Sequence, residues 1–318
     1  MVGRDLQSRF ILEEKYRPTT LKDIILPNRY VPIIDGMVKD GIIPHLLLSG
    51  TRGCGKTSLA YVLANETNAS LLYINASLDR TKDVMENKVE KFCSKVSVGD
   101  KKYKIILLDE IDNPYAKDFR KSLLSPIEKY GENTRFVLTC NQKYVLDRAL
   151  ISRCSEIDFV FVKNQETKSC KLKFINRLEM ILNNEGIEYD IKAIAYLVEK
   201  KFPDMRKVIN TINLLSKGGK IDQERIDIAL YADIDRFFNI IKSKDFEALK
   251  HYTQSLNMSP EDFYSMVYVN IESHIVVDDI PNALIKTYNY LKDLNGIADS
   301  FVSINTFGLD LMTSVRLK

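Results

Sequence analysis

Short, almost wholly apolar runs punctuate the first half of the chain: Leu46-Leu47-Leu48, Leu71-Leu72-Tyr73-Ile74, Ile105-Ile106-Leu107-Leu108, Phe136-Val137-Leu138 and Phe159-Val160-Phe161. Runs of this length without polar alternation suit strands buried on both faces. Between them lie stretches with helical spacing, among them Ser58 to Asn65 and Val84 to Val96. Strand and helix in alternation predict an α/β domain whose parallel sheet is covered by helices on both sides. The strand signal stops at Asn164. Beyond it, Ile175, Leu178, Ile181 and Leu182 keep helical spacing, as do Ile194, Leu197 and Val198, then Val208, Ile209, Ile212 and Leu215. Gly186, Pro203 and Gly218-Gly219 punctuate these helices. Ser259-Pro260-Glu261 and Asp279-Ile280-Pro281 read as later helix starts. The pattern predicts three parts: an α/β domain over 1–162, a small helical domain over 163–232 and an all-α domain over 233–318.

Composition narrows this picture. With 45% hydrophobic and 28% charged residues, the 318-residue chain has the make-up of a folded protein and not of a disordered one. No apolar run approaches the roughly 20 residues that cross a bilayer, and the first residues hold no apolar signal core, so a cytoplasmic location without membrane contact is expected. The five cysteines form no CxxC pair, and the only histidines are His45, His251 and His274. This argues against a structural zinc site and against histidine-based hydrolysis, leaving a carboxylate as the expected proton acceptor. From Asp233 onward the chain carries 8 Lys/Arg and 12 Asp/Glu, whereas upstream it carries 38 and 31. A nucleic-acid face is therefore expected upstream and not in the C-terminal third.

The sharpest chemical signal is Gly50-Thr51-Arg52-Gly53-Cys54-Gly55-Lys56-Thr57, a G-x-x-x-x-G-K-[ST] phosphate loop between an expected strand and an expected helix. Its backbone N–H groups converge on phosphate at a helix N-terminus, Lys56 neutralises the β- and γ-phosphates, and Thr57 offers a hydroxyl to Mg²⁺. The strand Ile105–Leu108 ends in Asp109-Glu110, one carboxylate for the metal and one to orient or deprotonate the attacking water. The next strand ends in Thr139-Cys140-Asn141, and an asparagine amide there can bond both the γ-phosphate and the water. Asp112 is expected as a cap or supporting group.

Together with Lys15-Tyr16-Arg17-Pro18, Asn75-Ala76-Ser77, Ser152-Arg153-Cys154 and Phe202-Pro203-Asp204-Met205-Arg206-Lys207, these motifs resemble, in order, the AAA+ ATPases of the clamp-loader family. The match runs from about residue 13 to 216. It looks most like the branch found in T-even-type bacteriophages, with small replication-factor-C subunits as the alternative. Another oligomeric AAA+ motor, a helicase loader or branch-migration ATPase, is the rival outside the family.

The resemblance implies an AAA+ P-loop domain, a helical lid and a helical collar for oligomerisation. It implies ATP and Mg²⁺ as cofactors, with adenine lying along Glu13, Glu14, Lys15, Tyr16 and Arg17 against Ile24 and Ile25. Phosphates would be held by Gly53, Cys54, Gly55, Lys56, Thr57 and Ser58, and the γ-phosphate would be sensed by Arg206. By the same resemblance Arg153 is an arginine finger acting in trans on a neighbouring subunit. Arg80, Lys82, Lys117, Arg120 and Lys121 would face DNA or another subunit, although the family has a glutamine where Arg120 stands. Phe92, Val96 and Val98 would approach the sliding clamp. Implied partners are further copies of the chain in a ring or spiral, a smaller clamp-loader subunit, a ring-shaped sliding clamp and primer–template DNA.

Overall fold

The computed structural model describes residues 11–79, 84–95, 103–161, 165–256, 259–294 and 300–318. Two compact units divide the chain, residues 1–223 and 224–318.

In the first unit five parallel strands form one sheet in the order β2-β3-β4-β1-β5: β1 (Leu46–Ser49), β2 (Ser70–Asn75), β3 (Lys104–Asp109), β4 (Thr134–Cys140) and β5 (Ser155–Asp158). Register pairs Ser49 with Cys140 and Asn75 with Asp109. Alternation within each strand feeds two cores. Leu47, Ile106, Leu108, Phe136 and Leu138 face one layer, whereas Leu46, Leu48, Ile105, Leu107 and Val137 face the other. Both faces are buried, which is why these strands carry no polar alternation. The order also decides where chemistry can occur. β4 lies between β1 and β3, so the loops that follow these three strands meet at the carboxyl edge of the sheet, where open α/β sheets bind ligands.

One strand departs from the expectation. The apolar run Phe159–Phe161 is not the fifth strand; β5 is the preceding Ser155–Asp158. It pairs only with β1 and closes an edge, so one side is wet and its composition is polar. Phe159 leaves the sheet and packs under the phosphate loop, and Phe161 meets Phe202 edge-on at 4.8 Å.

An N-terminal strap, including the four-residue helix α1 (Leu12–Lys15), precedes the sheet, and α2 (Lys56–Glu66) follows the phosphate loop. The sheet is followed by α3 (Gln165–Glu185), α4 (Ile191–Lys201) and α5 (Met205–Leu215). Asp190 and Asp204 cap the last two, accepting from Lys192 N and Lys207 N at 2.9 Å. The second unit is helical: Gln223–Ser243, Phe246–Ser255, Pro260–His274, Ile280–Asp293 and Ser300–Ser314. Its core is a cluster of rings, with Phe237, Tyr252, Phe263, Tyr264 and Phe307 all buried. Helices begin at Pro260 and Ile280, where the sequence signals them. Among the described residues no helix is long and apolar enough to cross a membrane.

Candidate nucleotide site

The phosphate loop needs three residues in the left-handed region, and all three are glycine: Gly50 (φ 145°), Gly53 (71°) and Gly55 (102°). At Gly50 a Cβ would stand 2.7 Å from Phe159 Cβ, and at Gly53 it would stand 1.8 Å from Asp204 Oδ1. The loop is thus pinned from below by the residue after β5 and from the side by the N-terminus of α5. Met205 N donates to Gly53 O at 3.1 Å, completing the second contact.

Lys56 is 8% exposed, and its ammonium is wholly engaged. It donates to Gly50 O and Thr51 O at 2.7 Å and to Asn141 Oδ1 at 2.9 Å. A cation enclosed by loop carbonyls and an amide oxygen is poised for phosphate oxygens, the stronger acceptors. Asp109 collects three hydroxyls. Thr139 Oγ1 donates at 2.5 Å and Thr57 Oγ1 at 3.0 Å to Oδ1, and Tyr73 OH lies 3.3 Å from Oδ2. Burial, reinforced by the neighbouring Asp109 charge, pushes the Tyr73 phenol up to about 12, so it stays a donor.

Glu110 is exposed and adopts φ 57°, left-handed for a non-glycine residue, with its N–H donating to Thr139 Oγ1 at 3.1 Å. Such backbone persists where the surroundings hold it, and it commonly marks functional positions. Asp112 is a supporting group. Its Oδ2 accepts from Asn141 N (2.9 Å) and Gln142 N (2.8 Å), fixing the loop that carries the Asn141 side chain.

Glu13, Tyr16, Arg17, Ile24, Ile25, Gly53 through Ser58, Asp109, Glu110, Asn141 and Arg206 all line one cleft. Ile24 and Ile25 with Phe174, Met205 and Ile209 form its apolar end. Glu14 and Lys15 are exposed and do not line the cleft. Lys15 instead pairs with Glu185 of α3 at 2.5 Å, and Tyr16 OH donates to the same carboxylate at 2.5 Å. These two hydrogen bonds hold Glu185 below the usual carboxylate range. Arg206 Nε donates to Glu13 Oε1 at 2.6 Å.

Arg153 stands apart from the cleft. Its Nε and Nη2 donate to Glu128 Oε1 at 2.9 and 2.5 Å, and its Nη1 donates to Ala149 O at 2.6 Å. It therefore cannot serve the phosphates bound beside Lys56 of its own chain without leaving these partners.

The partner-facing residues divide. Lys117 and Lys121 are exposed. Arg120 is a correction: expected at a DNA or subunit surface, it is 4% exposed and donates Nη1 to Ile111 O (3.0 Å) and Asn113 O (2.9 Å). An arginine fits there because the turn after Glu110 leaves inward-facing carbonyls that need a donor. Phe92 is half-buried against the core, with Lys104 Nζ 6.0 Å above its ring. Arg80, Lys82, Val96 and Val98 lie outside the described residues.

Sequence reasoning missed Tyr73, Thr139 and Arg177. Arg177 donates to Asp23 Oδ1 (2.8 Å) and to Tyr16 O (3.0 Å), so it ties the strap to α3. The Thr139 hydroxyl at the end of β4, one strand away from Asp109, was a signal open to topology alone. Tyr73 and Arg177 carried none.

A lysine-bearing phosphate loop, a hydroxyl–carboxylate pair and an exposed glutamate at one sheet edge make a P-loop nucleoside triphosphatase with a helical lid. Comparison with known proteins sharpens the class. The family "ATPase family associated with various cellular activities (AAA)" matches residues 46–162. The family "Sliding-clamp-loader large subunit, AAA+ ATPase lid domain" matches residues 166–225. The replication factor C small subunit of Saccharolobus solfataricus is 33% identical over 273 residues, 82% of this chain and 80% of that one. The sliding-clamp-loader large subunit of Enterobacteria phage T4 is 29% identical over 293 residues, 91% and 90% of the two chains. The fold is shared with the Thermotoga maritima RuvB Holliday junction branch migration motor, at TM-score 0.54 and 16% identity over 90% of both chains. The chain belongs to the clamp-loader family of AAA ATPases, and it is an ATP hydrolase.

Proposed function

We propose that this chain is the ATPase subunit of a DNA polymerase clamp loader, using ATP to open a ring-shaped sliding clamp and close it on primer–template DNA. The observation that carries the reading is the intact Lys56–Thr57–Asp109–Glu110–Asn141 set joined to a lid of the clamp-loader kind. Adenine lies in the cleft end walled by Ile24, Ile25 and Ile209, beside Tyr16. Phosphates lie along Gly53–Ser58, with Lys56 exchanging loop carbonyls for phosphate oxygens. Glu110 takes a proton from water as its oxygen attacks the γ-phosphorus and the bond to the bridging oxygen breaks, giving ADP and phosphate.

The oxygen-only pair Thr57 and Asp109, 3.0 Å apart, suits Mg²⁺, which is held by one or two protein oxygens plus phosphates. When bound, Mg²⁺ neutralises phosphate charge.

Arg153, away from its own cleft, serves the ATP of the next copy in a ring or spiral that includes a smaller subunit. In this reading residues 1–162, 163–232 and 233–318 act as ATPase domain, lid and collar in the cytoplasm. Lys117 and Lys121, with Arg80 and Lys82, meet the DNA backbone, and the segment of Phe92, Val96 and Val98 meets the clamp. The test is ATPase rate with primed DNA and candidate clamps, alone and together, at rising salt. Joint stimulation that falls steeply with salt is expected. Equal rates with and without both ligands would remove the clamp-loading assignment.

A further inference from the structure

Arg206 of the lid stands beside the phosphate loop. Its Cβ lies 3.2 Å from the position a Cβ on Gly53 would take, and Met205 N is bonded to Gly53 O. Its guanidinium is bonded to Glu13 on the strap. Asn210, one helical turn on, donates Nδ2 to the other oxygen of the same carboxylate at 3.3 Å. Glu13 is three-quarters buried, whereas Arg206 is 55% exposed. The anion is therefore the fixed member and the cation the movable one. The strap itself is tied to α3 by Lys15 and Tyr16 on Glu185 and by Arg177 on Asp23 and Tyr16 O, which anchors the backbone that carries Glu13. Two anionic destinations for one guanidinium, a fixed carboxylate and a phosphate bound beside Gly53, compete.

We propose that Glu13 is a positioning residue that holds Arg206 off the phosphate loop and sets the preference for triphosphate over diphosphate. The inference rests on the reading that Arg206 reaches the γ-phosphate. Only a triphosphate places an oxygen at the γ position, the one Arg206 is read as reaching, so only there does a second charge-assisted acceptor compete with the carboxylate. ADP leaves Arg206 on Glu13. Binding of ATP therefore includes the loss of the Arg206–Glu13 bond, and binding of ADP does not.

The experiment measures equilibrium binding of adenosine 5′-O-(3-thiotriphosphate) and of ADP to the full chain and to Glu13→Gln, Glu13→Asp, Arg206→Ala and the Glu13→Gln/Arg206→Ala pair. Glu13→Gln removes the competing charge and is expected to tighten the triphosphate about two- to five-fold relative to ADP, the range of a partly exposed ion pair, with ADP reporting any change in the adenine contacts common to both nucleotides. Glu13→Asp, which withdraws the carboxylate by one methylene, moves affinity the same way by less. In the Arg206→Ala background Glu13→Gln has no effect. The proposal is overturned if Glu13→Gln leaves the ratio of triphosphate to ADP affinity unchanged, or if its effect persists without Arg206. If Arg206→Ala alone leaves triphosphate affinity unchanged, the γ-phosphate reading fails. If it weakens triphosphate selectively while Glu13→Gln is neutral, only the competition fails.

Discussion

Replacing Gly53 by alanine tests whether lid and phosphate loop meet as tightly as the geometry requires. The position has φ 71°, and the new Cβ would stand 1.8 Å from Asp204 Oδ1 and 3.2 Å from Arg206 Cβ. The left-handed conformation alone costs about 1–2 kcal/mol for alanine. Asp204 cannot swing aside freely, because Oδ1 accepts from Lys207 N at 2.9 Å as the cap of α5, and losing a cap costs about 1 kcal/mol. Together these predict a loss of about 2–3 kcal/mol. Gly186→Ala is the matched control: φ 65° with nothing within 4 Å, so only the backbone cost of about 1–2 kcal/mol applies. Urea unfolding of both variants, followed by the far-ultraviolet signal, gives the comparison. Adding Asp204→Ala to Gly53→Ala should cost less than the sum of the two singles, because one substitution has already removed the cap. Equal losses for Gly53→Ala and Gly186→Ala would refute the close contact and the pinning of the loop by α5.

Two further outcomes are expected. Lys56→Ala should abolish nucleotide binding, whereas Glu110→Gln should retain ATP and slow single-turnover hydrolysis by at least the ~100-fold typical of a lost general base; wild-type turnover in Glu110→Gln would remove Glu110 from the mechanism. Glu185 has its pKa depressed by Lys15 and Tyr16, so its contribution is full above the unfolded carboxylate value near ~4.3 and is lost as pH falls through the lower folded value. Melting temperatures of the wild type and Glu185→Gln should therefore differ at pH 7 and converge as pH falls below the unfolded carboxylate value and through the lowered folded one, and a gap independent of pH would contradict the ion-pair origin.

Much of the fold was legible because burial on both faces leaves an unmistakable run of apolar residues. β1, β3 and β4 appear where Leu46–Leu48, Ile105–Leu108 and Phe136–Leu138 stand. β5 was misplaced because an edge strand needs no such run, and the more apolar Phe159 and Phe161 pack elsewhere. In the site, the phosphate loop and Asp109-Glu110 announce themselves through local spacing. Tyr73 and Arg177 do not. Their roles arise from strand register and from the strap meeting α3, which are properties of distant segments. Arg120 shows the opposite failure: a lysine-and-arginine-rich helix suggests a surface, and only the carbonyls of Ile111 and Asn113 reveal that one of its cations points inward.

The central claim is that hydrolysis is shared between copies, with Arg153 completing a neighbour's site, and subunit mixing tests it most directly. Arg153→Ala retains its own Lys56, and Lys56→Ala retains its own Arg153, so each alone lacks one half of every interface. A finger supplied in trans contributes about 10³–10⁵ in rate, so restoring even a fraction of interfaces is measurable. Mixed rings, verified by native mass measurement, are expected to regain part of the ATPase activity stimulated by clamp and primed DNA. Confirmed mixed assembly with no recovery would contradict the account and return Arg153 to its contact with Glu128.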